Sequence, residues 1–141
     1  MIKVAVVYWS GTGNTQAMAD AVADGAKKAG AEVKIKGASE FSSADVGSYD
    51  AIAFGCPAMG SETLEETEFE PMFAEVEGSL SGKKIGLFGS YGWGDGTWMN
   101  DWEERCRQDG ANLVATGVIA NNTPDDEALS SCEELGSVLA K

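Results

Sequence analysis

The sequence predicts a doubly wound α/β domain, in which a five-stranded parallel sheet carries helices on both of its faces. Five runs typical of strands alternate along the chain with helical patterns. Two of the runs, Ile2–Val7 and Ala51–Phe54, are almost wholly apolar, as expected for strands covered on both faces. This alternation favours parallel strands joined by right-handed crossovers. We expect one domain over residues 1–141, a length that can bury a substantial core.

Each predicted element has its own local signal. The strand over Ile2–Val7 ends at a glycine-rich loop, after which apolar residues from Ala17 to Ala29 recur every three or four positions, and Gly30 is a plausible C-cap. The remaining predicted elements, in chain order, are an edge or half-buried strand over 32–36, a helical turn over 43–46, a buried strand over 51–54, a helix that carries Phe69, Met72, Phe73 and Val76 on one side, a strand over 84–88, a helix over 97–108, a fifth strand over 112–119 and a helix over 127–139.

The composition excludes several classes of protein. With 10 basic and 23 acidic residues the net charge is -13, which opposes binding to nucleic acid or anionic membranes and favours basic partners. Histidine is absent, so the usual general base and the commonest metal ligand are missing. Cys56, Cys106 and Cys132 form no CxxC pair and are expected to be buried thiols, with no metal site. No segment resembles a signal peptide or membrane span, and we expect a soluble, cytoplasmic monomer.

Seven acidic residues and no basic one lie between Cys56 and Gly82. They form either a solvated helix face or a functional surface, and the sequence leaves both interpretations open.

The loop after the first strand has the composition of an anion site. Its hydroxyl and amide side chains alternate with glycines directly before a helix, so that N–H groups and the helix dipole converge; the residues are Ser10, Gly11, Thr12, Gly13, Asn14 and Thr15. The loop lacks the lysine of GxxxxGK[ST], and Gln16 stands where GxGxxG needs its last glycine. A monophosphate therefore fits better than ATP or NAD. An ordinary glycine-rich turn before a capped helix is the alternative.

Three motifs together resemble the flavodoxin family. The loop over 10–15 is similar to the family's [ST]xTGxT loop, and the stretches 55–62 (Gly-Cys-Pro-Ala-Met-Gly-Ser-Glu) and 89–94 (Gly-Ser-Tyr-Gly-Trp-Gly) each follow the corresponding strand. The resemblance covers essentially the whole chain. It implies the strand order 2-1-3-4-5 and a non-covalently bound flavin mononucleotide (FMN), with its phosphate in the first loop and its ring enclosed by the other two.

The resemblance also implies roles for single residues. Met59 and Trp93 would flank the flavin ring, and Glu62 would accept a hydrogen bond from flavin N3–H. The Met59–Gly60 peptide would turn its carbonyl toward flavin N5–H when the flavin gains an electron. The further expected cofactor contacts are Ala58, Ser90, Tyr91 and Gly92, and no catalytic residue is expected.

Three aromatic or polar features near these motifs are not assigned as contacts. Trp9 covers either the cofactor or its own loop, and the sequence does not decide between them. Residues 121–123 are a weaker candidate for the edge of the site, and Trp98 and Trp102 are expected in the core.

The resemblance implies an electron carrier and not an enzyme. Its partners would be low-potential oxidoreductases that also use ferredoxin and that dock through basic surfaces. The alternative is a flavodoxin-like NAD(P)H-dependent flavin or quinone reductase, but the chain has no large insertion to close over a substrate. A phosphoacceptor signalling domain needs acidic residues after the first and third strands, where Tyr8-Trp9-Ser10 and Gly55-Cys56-Pro57 stand instead.

Overall fold

Strands and helices alternate along the chain in a computed structural model that describes residues 1–60, 62–92 and 94–141. The strands are β1 (Lys3–Tyr8), β2 (Glu32–Gly37), β3 (Ala51–Gly55), β4 (Lys84–Tyr91), β5 (Asn112–Leu113) and β6 (Val118–Asn121). The helices are α1 (Asn14–Lys28), α2 (Ser43–Val46), α3 (Phe69–Val76), α4 (Thr97–Gln108) and α5 (Asp126–Leu139), with 3₁₀ turns at Ala38–Glu40 and Glu77–Ser79.

All paired strands run parallel, in the order β2-β1-β3-β4-β5. β6 also pairs with β4, so that β5 and β6 share the last position of the sheet. At the centre, Val4 of β1 lies beside Val33 of β2 and Ala51 of β3. The predicted order 2-1-3-4-5 is confirmed, and β2 lies at the edge of the sheet, which is one of the two alternatives expected for residues 32–36.

The prediction of one continuous fifth strand over 112–119 was wrong, because two short strands, β5 and β6, occupy this region. Leu113 pairs with Ile85 and Val118 pairs with Phe88, so five steps along the fifth strand (118 − 113) match three along β4 (88 − 85). The two extra residues make a bulge. Its cause is Gly117, whose N–H donates to the buried carboxylate of Glu103 at 2.7 Å and is thereby held away from the ladder.

One face of the sheet is covered by α3 and α4 through aromatic side chains. Phe73 meets Phe54 edge-on at 5.2 Å between ring centroids and Trp102 at 5.8 Å. Trp98 and Trp102 are both only 2% exposed, which confirms their assignment to the core. Arg105 of α4 links α4 to α3 by donating hydrogen bonds to both carboxylate oxygens of Glu70 at 2.8 Å.

The other face is covered by α1 and α5, whose backbones touch. A Cβ atom at Gly25 would lie 1.9 Å from the Glu133 carbonyl oxygen, and one at Gly136 would lie 2.0 Å from the Val22 carbonyl oxygen. Only glycine allows this approach.

The three cysteines are free and buried, as predicted, and burial raises the pKa of each thiol to about 12. Within the described residues, no helix combines the length and the apolar character needed to cross a bilayer.

Candidate functional site

The candidate site lies beyond the carboxyl ends of β1, β3, β4 and β6, where an open α/β sheet binds ligands. The loops that follow these strands surround a cavity of about 230 Å³. Its lining residues are Trp9, Gly11, Thr12, Asn14, Pro57, Ala58, Met59, Ser90, Tyr91, Gly92 and Asn122. Eight of the residues predicted from the sequence are therefore brought together around one space.

The first loop ends at the N-terminus of α1 with its donors exposed. Gly13 has a φ of +96°, and the first helical bond runs from the Ala17 N–H to the Gly13 carbonyl at 3.0 Å. The N–H groups of Asn14, Thr15 and Gln16 consequently have no acceptor within the helix. Ser10 accepts the Gly13 N–H on its hydroxyl at 3.0 Å and so shapes the turn from within. The arrangement suits a phosphate, because free N–H groups and the positive end of a helix dipole meet there.

Trp9 lies against this loop. A Cβ atom at Gly11 would approach the far edge of the Trp9 ring at 3.1 Å, so the glycine leaves room for the indole. Trp9 packs on the core and also lines the cavity, so both roles that the sequence left open for it stay predictions.

Hydrogen bonds tie the loops to one another. The Ala58 N–H donates to the Ser90 carbonyl at 3.0 Å, and the Asn122 N–H donates to the Tyr91 carbonyl at 2.7 Å. The buried hydroxyls of Thr15 and Ser90 lie 3.1 Å apart, which links the first loop directly to the loop after β4. The loops that surround the cavity are therefore held to one another by direct hydrogen bonds.

The loop after β3 is closed by a pair of backbone hydrogen bonds. The Met59 N–H donates to the Thr63 carbonyl, and the Thr63 N–H donates to the Met59 carbonyl, each at 2.9 Å. Gly60 between them has a φ of +48°, where a side chain would be strained. The Met59 carbonyl is thus already engaged, and the predicted reorientation of the Met59–Gly60 peptide would have to break its bond to Thr63. That reorientation stays a prediction.

The end of the same loop is fixed by the buried carboxylate of Glu65. One oxygen accepts the N–H and hydroxyl of Thr67, and the other accepts the N–H groups of Glu68 and Phe69 at 2.7 and 2.9 Å. Burial alone raises the pKa of Glu65, but these hydrogen bonds outweigh it and hold the pKa at about 2. Glu65 is therefore a charged cap at the start of α3, and its carboxylate is directed into the turn over 67–69.

Glu62 joins the loop after β3 to the loop after β4. Its carboxylate accepts the N–H of Asp95 at 3.2 Å, and a Cβ atom at Gly94 would lie 2.1 Å from it. Hydrogen bonding from the Thr97 hydroxyl lowers the pKa of Asp95. Two carboxylates consequently lie side by side at this end of the site.

The sequence and the structure differ on some residues of the site. Trp93, predicted to flank a flavin ring, lies outside the described residues. Ser10, Gly13, Thr15, Gly60 and Glu62 shape or join the loops but do not line the cavity. Trp9, Pro57 and Asn122 line it and were not assigned as contacts from the sequence. Their positions within two residues of the ends of β1, β3 and β6 were the signal available.

The described residues fit an FMN molecule. An exposed phosphate cradle and a cavity lined by Met59, Tyr91 and Trp9 adjoin each other, and large apolar side chains of this kind pack well on a planar heteroaromatic ring.

The chain is similar to known flavodoxins over almost its whole length. A family model described as Flavodoxin matches residues 6–136. The flavodoxin of Megasphaera elsdenii is 48% identical over 138 residues, covering 98% of each chain. The flavodoxin of Clostridium beijerinckii is 47% identical, covering 96% of this chain and 97% of that protein. The solution structure of two-electron reduced Megasphaera elsdenii flavodoxin superposes with a TM-score of 0.90 over 97% of this chain and 98% of that chain.

Proposed function

The chain belongs to the flavodoxin family, and we propose that it carries single electrons at low potential between redox enzymes, in the place of ferredoxin. As a family member it is an electron-transfer protein that binds FMN, and not an enzyme. When bound, FMN supplies the redox chemistry, while the protein sets its position and its potentials.

Two groups of residues would hold the cofactor in this proposal. The phosphate would lie against the free N–H groups of Asn14, Thr15 and Gln16, with the exposed hydroxyl of Thr12 beside them. The ring would lie against Met59 on one side and the loop after β4 on the other, with Ala58, Ser90, Tyr91 and Gly92 around it. Trp93 is proposed as the second flanking side chain, on the resemblance alone. Glu62 is proposed to accept a hydrogen bond from the ring.

The low potential is supported by one observation, the distribution of charge around the site. The phosphate loop contains no lysine or arginine, and the carboxylates of Glu62 and Asp95 lie where the loop after β3 meets the loop after β4. Additional negative charge in such surroundings is electrostatically unfavourable. The protein residues thus oppose the second electron more strongly than water does.

The same charges support proposals about partners and setting. A net charge of -13 attracts oxidoreductases with basic docking surfaces and disfavours self-association, so we propose a monomer that forms brief, salt-sensitive complexes. Three buried free thiols suit a reducing compartment, which supports a cytoplasmic location. The family match over 6–136 supports a single FMN-binding domain over residues 1–141.

A potentiometric titration tests the proposal. Purified protein is loaded with FMN and reduced stepwise while its visible spectrum is recorded, with free FMN as the reference. We expect two separated one-electron steps, the second at a clearly more negative potential than in free FMN. Glu62→Gln should make that second potential less negative, whereas Glu66→Gln, a change at an exposed neighbour, should have a smaller effect.

Two results would contradict the proposal. A second potential as positive as that of free FMN would remove the basis for low-potential transfer. Steady-state NAD(P)H consumption by the purified protein alone would indicate a reductase, since a carrier needs a separate one.

A further inference from the structure

A second cavity lies between the last strand and the last helix. It has a volume of about 610 Å³ and forms an open groove, which we call the edge groove. One wall is the strand β6 with residues 115–117 that precede it, and the other is a stripe of α5. The stripe consists of Glu127, Ser131, Glu134 and Val138, which recur at helical spacing on one side of α5.

The strand wall of the edge groove presents an unpaired sheet edge. β6 pairs with β4 along one side, and none of the described strands pairs with its other side. Ile119 of β6 is 39% exposed, one of few large apolar side chains in the described chain that reach such exposure. A free strand edge with an exposed apolar side chain is a template for an added strand.

The charges around the edge groove select the occupant. Asp125, Glu127 and Glu134 border it, and none of its lining residues is a lysine or arginine. A second copy of the chain would bring three more carboxylates into the same space and would be repelled. A segment with lysine or arginine side chains would be attracted, so the same groups exclude one partner and favour the other.

We propose that the edge groove binds an extended, basic segment of a redox partner, which adds a strand to β6 and places its cationic side chains beside Glu127 and Glu134. The inference rests on the proposed function, because it concerns the partners of an electron carrier. The groove adjoins the flavin site: Asn121 lines the groove and its neighbour Asn122 lines the cavity at the carboxyl ends of the strands. A partner bound there is therefore held next to the flavin loops.

A peptide titration tests the proposal. ¹⁵N-labelled, FMN-loaded protein is titrated with a hexapeptide amide of alternating lysine and valine, and the amide signals are followed by NMR. We expect the largest shift changes in residues 117–121 and along the stripe of α5. The same peptide with alternate backbone nitrogens methylated keeps its charge but cannot complete a ladder, and it should bind much more weakly.

Matched variants distinguish binding in the edge groove from nonspecific attraction between the basic peptide and the acidic protein. Glu127→Gln combined with Glu134→Gln should raise the dissociation constant of the peptide about fivefold, as expected for the loss of two exposed ion pairs. Asp20→Asn combined with Asp24→Asn removes the same charge from the exposed side of α1, and it should change the constant by less than about twofold.

The proposal is overturned by any of four results. The first is that the shift changes are confined to the flavin loops. The second is that the two pairs of variants weaken peptide binding equally, and the third is that the methylated peptide binds as well as the unmethylated one. The fourth is that the shifts of residues 118–121 change with protein concentration in the absence of peptide, which would assign the edge to self-association. The titration involves no redox measurement, so its failure leaves the electron-carrier proposal standing.

Discussion

Replacing Glu65 by glutamine tests how the acidic stretch before α3 stabilises the fold. The glutamine amide keeps one oxygen and replaces the other by an NH₂ group, so either Thr67 or the Glu68–Phe69 pair loses its acceptor and faces a donor. Leaving a buried donor group without an acceptor lowers the free energy of unfolding by roughly 1–3 kcal/mol. We therefore expect Glu65→Gln to lower the free energy of unfolding by about 2–4 kcal/mol near neutral pH.

The pH dependence of this difference follows from the pKa of Glu65. The carboxyl has a pKa of about 2 in the folded chain against an ordinary value of 4.5, so its ionised form stabilises the fold. That stability is fully present above the ordinary value and is lost as the pH falls toward the folded value. A shift of this size corresponds to about 3 kcal/mol at most, of which about 2 kcal/mol should be lost between about pH 7 and about pH 3.

Urea denaturation of the FMN-free protein at a series of pH values measures the effect without a contribution from ligand binding. The difference in the free energy of unfolding between the wild type and Glu65→Gln should decrease as the pH falls. Glu66 is the next residue and is exposed, so the free energy of unfolding of Glu66→Gln should stay within about 0.5 kcal/mol of the wild-type value. A gap that stays constant over the pH range would refute the reasoning, because the charge of Glu65 would then not be its source.

Three further predictions concern the flavin loops. Gly60→Val puts a β-branched side chain at a φ of +48°, and it should lower the free energy of unfolding measured in urea by roughly 1–3 kcal/mol. If strain of that size differs between redox states, it shifts a one-electron potential by roughly 40–130 mV, which potentiometry measures. Thr15→Val and Ser90→Ala each remove a hydroxyl of the buried pair, and a double-mutant cycle on FMN affinity should give a coupling of about 0.5–1.5 kcal/mol. Gly94→Ala builds a methyl group into the Glu62 carboxylate and should weaken FMN binding about tenfold, as followed by the quenching of FMN fluorescence.

Controls for these variants are available in the chain. Gly47 has a φ of -68° and open space around it, so Gly47→Val should cost less than about 1 kcal/mol. Equal costs at positions 47 and 60 would contradict the strain argument. Additive effects of Thr15→Val and Ser90→Ala would show that the hydroxyl pair does not couple the loops. Unchanged affinity in Gly94→Ala would show that the position of Glu62 does not matter to the flavin.

The elements with strong local signals were predicted correctly from the sequence. Phe69, Met72, Phe73 and Val76 repeat at helical spacing and are all buried on α3. Such a pattern depends only on neighbouring residues, and a helix must bury the apolar side that the pattern defines. The order of the strands came from the family resemblance, since spacing alone does not determine which strands are neighbours.

The features that sequence reasoning missed depend on contacts between separate parts of the chain. The break in the fifth strand arises because Glu103, on the preceding helix, captures the N–H of Gly117. In the sequence, Glu65 is one of seven acidic residues and nothing marks it as buried. The usual N-cap residues are Ser, Thr, Asp and Asn, and Glu65 lies four residues before α3, so no local signal identifies it.

Because α5 packs against α1, we expect the phosphate loop to become ordered late in synthesis. α1 leaves the ribosome early, but its inner side is covered by α5, at the other end of the chain. Until the region around Gly136 has emerged, Met18 and Val22 lack part of their packing. We therefore expect the packing of α1, which presents its N–H groups to the phosphate, to be completed last, and nascent chains to bind FMN only after α5 has docked.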